Sequence, residues 1–306
     1  MQGRRVLVTG GAGFIGSNLA NHLAADNEVV ALDDCYLGTP ENLADDVEFV
    51  EASVLDADLP TDVDVVFHLA ALSSLTMHED DPARGARVNV EGFVNTVEQA
   101  REDGCEHVVY ASTSSIYGDR TEPSPEDMPV EANTGYEASK LAREQYAEYF
   151  HNYYGLTTAG MRFFSVYQGM AEGAEGHKGE YANLIAQFAD DIANGRRPVI
   201  WGDGSHSRDF THVEDIVRGL ELAADHELQG IYNLGTGEQY TIEYLVERLN
   251  DHLGTDVEPV YEENPIPADV FVHDTCADAT KMQEATGWEP EVDFETGLAR
   301  VCAQYQ

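Results

Sequence analysis

Through the first half of the chain, short apolar runs alternate with longer stretches whose apolar positions recur every three or four residues. Residues 4–10 (RRVLVTG) are a β-branched run ending in glycine, and residues 14–25 (FIGSNLANHLAA) carry the helical period. Further strand patterns follow at 28–34 (EVVALDD), 47–56 (VEFVEASVLD), 63–71 (VDVVFHLAA), 107–113 (HVVYAST) and 157–167 (TTAGMRFFSVY). Helical patterns lie between the later strands, at 82–103 and 135–154. Strands this apolar must be buried on both faces, which predicts a parallel sheet covered by helices. The fold class is α/β, a Rossmann-type doubly wound sheet.

After Tyr167 the pattern loosens. Residues 168–181 read as a glycine-rich loop, followed by a helix and a short strand and turn at 197–204. A helical pattern at 210–225, a buried strand at 230–237 and a helix at 241–254 come next, the last capped by Thr241. This predicts a first domain over 1–165, with elements returning from about 208–236, and a smaller, irregular α/β domain over 166–306.

Charge narrows the class of partner. The chain of 306 residues has 17 basic and 57 acidic side chains, a formal net charge of −40. Nucleic acid and anionic membrane surfaces need a basic footprint, which is missing. The acids are spread along the sequence and 42% of residues are hydrophobic, so this is a folded protein and not an acidic tail. The composition resembles that of extreme halophiles, whose proteins work where the Debye length is a few ångströms. Cys35, Cys105, Cys276 and Cys302 are too scattered for a metal or redox motif, so no metal site is expected. No leader pattern or membrane-spanning run is present, which predicts a cytoplasmic protein.

The candidate chemistry begins at TGGAGFIG. Gly10, Gly13 and Gly16 stand between the first strand and the first helix, where such glycines allow a tight turn, close approach of a pyrophosphate and close helix packing. Asp33 ends the second strand about 20 residues on, placed to accept hydrogen bonds from an adenosine ribose. An acid there repels a 2′-phosphate and favours NAD over NADP. Farther on, Tyr136 and Lys140 are four apart and share a helix face. A cation beside the tyrosine lowers its pKa from about 10 and makes it a usable base.

The G-x-x-G-x-x-G spacing, together with the Tyr-x-x-x-Lys pair, resembles the extended short-chain dehydrogenase/reductase family. That resemblance implies cofactor contacts from Phe14 and Ile15, from Val54, Leu55 and Asp56 around the adenine, and from Leu69, Ala70 and Ala71 beneath the pyrophosphate and nicotinamide ribose. It implies that Asn89 holds its helix in place, that Tyr136 and Lys140 also touch the cofactor, and that Lys140 reaches the nicotinamide ribose. Within YASTSSIYG (110–118) it places Thr113 at the catalytic Ser/Thr position, with Ser114 near substrate and Tyr117 as structure or pocket wall. His68 reads as structural.

RFFSVY, GDGSHSRDFTHVEDI and YNLGTG resemble second-half motifs of nucleotide-sugar epimerases and dehydratases, most closely the UDP-glucose 4-epimerase group. The likeness implies that Arg208 clamps a nucleotide diphosphate, as a guanidinium suits. Ser165 stands where the family pattern has asparagine, Gln168 and Gly169 where it has Gly-Pro, and Ile266 where many bacterial members have a diphosphate-binding arginine. Lys178 is the candidate to compensate. Two readings stay open: a nucleotide-sugar 4-epimerase that keeps its NAD, and an NAD(P)-dependent 1-dehydrogenase of a free aldose. The resemblance also implies a homodimer packed through the helices around residues 88–101 and 137–153.

Overall fold

The computed structural model describes residues 1–79, 81–170, 174–268 and 270–306. Residues 171–173 of the glycine-rich loop and Asp269 of the segment 266–270 lie outside the described residues. The chain opens with β1 (Arg5–Thr9), α1 (Phe14–Ala24), β2 (Glu28–Asp33), β3 (Glu48–Glu51) and β4 (Val65–His68). Two short helices, α2 (Thr76–Glu79) and α3 (Pro82–Ala86), lead through a π-helical turn at Arg87–Glu91 into α4 (Gly92–Asp103). Next come β5 (His107–Thr113), α5 (Gly135–Tyr154), β6 (Thr157–Phe163) and β7 (Val166–Tyr167). A 3-10 segment at Ala174–Tyr181 precedes α6 (Leu184–Ala193), β8 (Val199–Trp201), β9 (Ser207–Arg208) and β10 (Thr211–His212). Then follow α7 (Val213–Asp225), β11 (Gly230–Leu234), β12 (Tyr240–Thr241), α8 (Ile242–Leu253), β13 (Val260–Glu262), α9 (Thr280–Thr286) and α10 (Phe294–Ala303).

The main sheet has seven parallel strands in the order β11-β6-β5-β4-β1-β2-β3. Leu7 on β1 lies between Val30 and Val66, all three without exposure, which is why these strands are apolar on both faces. One face packs Leu19, Leu23, Ile216, Leu220 and Trp288 around α1 and α7. The other packs Phe93, Val97, Ala147 and Phe150 around α4 and α5. A third cluster, with Ile185, Phe188, Leu245, Leu249 and Leu298, forms the core under α6, α8 and α10. α8 starts as its sequence predicts, with Thr241 accepting from the Tyr244 amide.

Two predicted strands come out shorter. Residues 47–56 form a strand only to Glu51, because the Asp56 carboxylate accepts from the Ser53 amide at 2.9 Å and closes a turn. Residues 157–167 break after Phe163. Phe164 donates to the Leu234 carbonyl at 3.1 Å, and Ser165 takes φ +25° before β7 pairs with β10. A serine at positive φ is unusual strain, and here it turns the chain out of the main sheet.

Candidate active site

The switch point of the strand order lies between β1 and β4, where parallel sheets bind ligands at their carboxyl ends. The glycine loop follows β1, and Leu69, Ala70 and Ala71 follow β4. Gly10 has φ +68°, and a Cβ there would come within 2.7 Å of the Ala70 amide. A Cβ on Gly16 would come within 2.0 Å of the Gly10 carbonyl oxygen, so that glycine lets α1 close onto the loop. α1 begins at Phe14 with no side-chain cap and no acid in its first turn, leaving its amides and positive end to an incoming anion. Asp33 is pinned beside the loop by the Ala12 amide at 3.1 Å and the Cys35 amide at 2.9 Å. Burial pushes its pKa up, and those two amides work against the rise.

A cleft of about 500 Å³ runs over these elements. It brings together Gly10, Gly13, Phe14, Ile15, Gly16, Asp33, Val54, Leu69, Ala70, Ala71, Thr113, Ser114, Tyr136, Lys140, Ser165, Lys178 and Arg208. Leu55 and Asp56 stand outside that lining. The turn that closes β3 spends Asp56 on the Ser53 amide and leaves Leu55 on the outer surface beside α4 and α5.

α5 starts with a reciprocal cap. Thr134 accepts from the Glu137 amide at 3.1 Å, and the Glu137 carboxylate accepts from the Thr134 amide at 3.1 Å and the Asn133 amide at 2.8 Å. The cap fixes the first turn, which carries Tyr136. Lys140 lies one turn on, its Nζ 5.7 Å from the Tyr136 ring centre. Thr113 ends β5, and its hydroxyl also accepts from the Ser115 amide at 3.3 Å.

The electrostatics depart from expectation in one respect. The Lys140 ammonium is turned to the Ala111 carbonyl at 3.1 Å, and burial lowers its pKa well below the usual lysine value. Burial holds the Tyr136 phenol above its ordinary value. The groups that favour its ionisation are the Thr113 hydroxyl and then the Arg143 guanidinium.

Arg143 is the residue that the sequence reading missed. It has no exposure and, among the described residues, no carboxylate partner; Nε donates to the Asn89 carbonyl at 2.6 Å and one terminal nitrogen to the Ala70 carbonyl at 2.7 Å. Its other terminal nitrogen is buried without an acceptor, and burial lowers its pKa to about 10. Asn89 sits in the π-helical turn, the kind of irregularity that forms where a side chain inserts against a helix. The Asn89 side chain clasps Leu72 at both amide and carbonyl and donates to Ser139 on α5 at 2.9 Å. His78 packs edge-on to Tyr136, and burial lowers its pKa, so it is a neutral wall. His68 is a core residue bonded to Thr9 at 3.1 Å and kept neutral by burial.

Behind the cleft, Tyr117 donates to Asn233 at 2.7 Å and accepts from Arg162 at 2.8 Å. Arg162 also pairs with Glu144 through two bonds, at 2.9 and 2.7 Å, and Glu144 accepts from Ser112 at 2.6 Å. At the opposite wall Arg208 donates to the carbonyls of Ser207, Val272 and His273 at 2.7–2.8 Å. Among the described residues it makes no ion pair, and burial lowers its pKa to about 10. Asp119, His273 and Asp274 cluster beside it, but Asp274 is already engaged by Ser207 and His273.

The residues fit a dinucleotide. The glycine cradle and the bare start of α1 suit a pyrophosphate, Asp33 suits a ribose diol, and Tyr136 and Lys140 face the far end of the cleft.

Comparison with known proteins agrees with that fit. Residues 6–235 match the NAD dependent epimerase/dehydratase family. The UDP-glucose 4-epimerase of Mycolicibacterium smegmatis is 37% identical over 310 residues, covering 97% of this chain and 96% of that one. The crystal structure of Thermotoga maritima UDP-glucose 4-epimerase with UDP-glucose superposes with a TM-score of 0.91 at 32% identity, covering 98% of each chain. The Methanobrevibacter ruminantium UDP-N-acetylglucosamine 4-epimerase, in complex with UDP-N-acetylmuramic acid, gives 0.91 at 30% identity, covering 100% of this chain and 99% of that one.

Proposed function

The chain belongs to the NAD dependent epimerase/dehydratase family, and on that premise we propose that it is a nucleotide-sugar 4-epimerase whose substrate pair is UDP-glucose and UDP-galactose. The observation that carries this reading is Arg208, a half-buried arginine with no ion pair among the described residues, in the same cleft as Thr113, Tyr136 and Lys140. Asp119 and Asp274 lie nearby, yet the guanidinium makes no ion pair among the described residues, so it has a place for an anionic substrate, which a free aldose does not supply.

Tyr136 takes the proton from the sugar O4, and Thr113 donates to that oxygen and holds it against the phenol. NAD, which the glycine cradle of Gly10, Gly13 and Gly16 and the Asp33 carboxylate would hold, would supply the hydride acceptor and donor for C4. Arg208 anchors the diphosphate while the 4-keto sugar turns over, and Tyr136 then gives the proton back. Lys140 orients the nicotinamide ribose. Ser114 and Ser165 line the sugar end. A homodimer through α4 and α5 accompanies this reading. It is supported by the exposed Tyr146, Tyr149, Tyr153 and Tyr154 on α5 and by a surface hollow lined by Leu55, Val90 and Val94. Sedimentation as a monomer in molar KCl would sink it.

The test is incubation in molar KCl with UDP-glucose, UDP-galactose, UDP-N-acetylglucosamine and a panel of free aldoses, following NADH absorbance and separating the sugars. Interconversion of UDP-glucose and UDP-galactose without net NADH is expected. Stoichiometric NADH from a free aldose would overturn the proposal in favour of a dehydrogenase.

A further inference from the structure

The chain has three lysines, and two of them are bonded: Lys140 to the Ala111 carbonyl and Lys281 to the Ile231 carbonyl at 2.7 Å. Lys178 differs. It is partly buried in the 3-10 segment Ala174–Tyr181, lines the cleft, and has neither a hydrogen-bond acceptor nor an ion pair among the described residues. Glu175 is the nearby acid, but its carboxylate is taken up by the backbone amides of Gln168, Gly169 and Asn183 at 2.5–2.8 Å. Those bonds tie both ends of the segment to one buried side chain and leave the Lys178 amine for something else.

Its position says what. Nζ stands 5.8 Å from the ring centre of Phe14, the first residue of α1. The positive end of that helix and the amine therefore converge on one part of the cleft. Burial costs the ammonium part of its stability, and an anion would restore it. A diphosphate suits both features, and two could enter the cleft: that of the dinucleotide and that of the nucleotide sugar. Arg208 lies on β9 against Val272 and His273, whereas Lys178 lies against the start of α1.

We propose that Lys178 is a ligand of the NAD pyrophosphate, supplied by the second half of the chain, so that bound NAD fastens the segment Ala174–Tyr181 onto the glycine-loop domain. This rests on the family's use of NAD and on the assignment of Arg208 to the substrate.

Calorimetry on NAD-stripped protein in molar KCl tests it, with NAD, ADP-ribose, adenosine and UDP as ligands for the parent, Lys178→Met, Lys178→Arg and Arg208→Met. Lys178→Met is expected to weaken NAD and ADP-ribose about tenfold or more, the size of one charge-assisted hydrogen bond, and to leave adenosine and UDP within about twofold. Lys178→Arg is expected to recover most of the loss. Arg208→Met is expected to show the reverse pattern. Weakened UDP with unchanged NAD would overturn the proposal and give Lys178 to the substrate. Unchanged binding of both would make it a structural lysine. Failure of the parent to bind UDP would sink the nucleotide-sugar reading alone, because the NAD and ADP-ribose titrations decide Lys178 independently.

Discussion

Replacing Glu144 by glutamine probes the framework that holds the active-site elements together. Glu144 and Arg162 are 6% and 4% exposed, and their two bonds join α5 to β6. Ser112, next to Thr113, completes the group at 2.6 Å from the same carboxylate. Glutamine keeps one acceptor oxygen but turns an NH₂ toward the guanidinium, donor against donor. Arg162 would then retain one bond to the amide oxygen, the Tyr117 hydroxyl at 2.8 Å and the Glu126 carbonyl at 3.4 Å, but no counter-charge. Breaking a buried pair on one side costs about 3–5 kcal/mol, because the remaining charge stays buried. At about 2 °C per kcal/mol for a protein of this size, the expected loss in Tm is about 6–10 °C.

The assay is thermal unfolding followed by circular dichroism at a fixed scan rate, in molar and in lower KCl. Buried pairs are weakly screened, so the difference should persist across salt. Arg196→Ala, which removes an exposed arginine paired with Asp190 and Asp191, serves as control and should shift Tm by no more than about 2 °C. The double replacement Glu144→Leu with Arg162→Leu should be milder than Glu144→Gln, because it leaves no unpaired charge. A Tm within about 2 °C of the parent for Glu144→Gln, or a double variant worse than the single, would refute the reasoning.

Three further outcomes concern the chemistry. Tyr136→Phe should lower kcat by at least about a hundredfold with NAD affinity nearly intact, measured by turnover and calorimetry; surviving turnover would remove Tyr136 as the base. Arg143→Met removes a cation that favours the phenolate, so the Tyr136 pKa should rise further. The base works deprotonated, so the alkaline-rising limb of kcat/KM should move to higher pH. Activity at neutral pH should fall about tenfold for each unit of that move and recover on alkalinisation, with Arg143→Lys close to the parent. An unmoved limb would confine Arg143 to packing. Arg208→Met should raise the Kd for UDP by about a hundredfold while kcat at saturating UDP-galactose falls less; equal UDP affinity would end its role as the diphosphate clamp.

The sheet was legible because its strands are apolar on both faces, and the cofactor loop because Gly10, Gly13 and Gly16 sit between a strand and a helix. The tyrosine and lysine were legible through their spacing on α5. The same spacing extends to Arg143, seven residues after Tyr136 and on one face with it, but an arginine in KLARE reads as a solvated helix position. Only the approach of Asn89 and Ala70 makes it a buried one. The π-helical turn had no signature, since it answers to that insertion and not to its own residues. The family resemblance implied Leu55 and Asp56 at the adenine, but a side-chain-closed turn after Glu51 leaves both outside the cleft lining. The break at Ser165 is hidden in an unbroken apolar run for a similar reason: the second half of the chain imposes it.

Charge distribution joins these particulars. Arg4, Arg5, Arg101, Arg162, Arg196, Arg218, Arg248 and Arg300 are all ion-paired. With 57 acids present, that is what a cation meets by default. Five cations that line or adjoin the cleft behave otherwise. Lys140, Arg143 and Arg208 donate to carbonyls, Arg84 stacks on Tyr36 at 4.2 Å, and Lys178 lies by the Phe14 ring with no hydrogen bond or ion pair among the described residues. Carbonyl oxygens satisfy donors without neutralising charge, so each of these sites keeps a positive potential that burial makes costly. Arg197 and Lys281, outside the cleft, also donate to carbonyls, but they are exposed and lose little to burial. An anionic ligand that reached Lys178 or Arg208 would restore part of what burial takes from their charged forms.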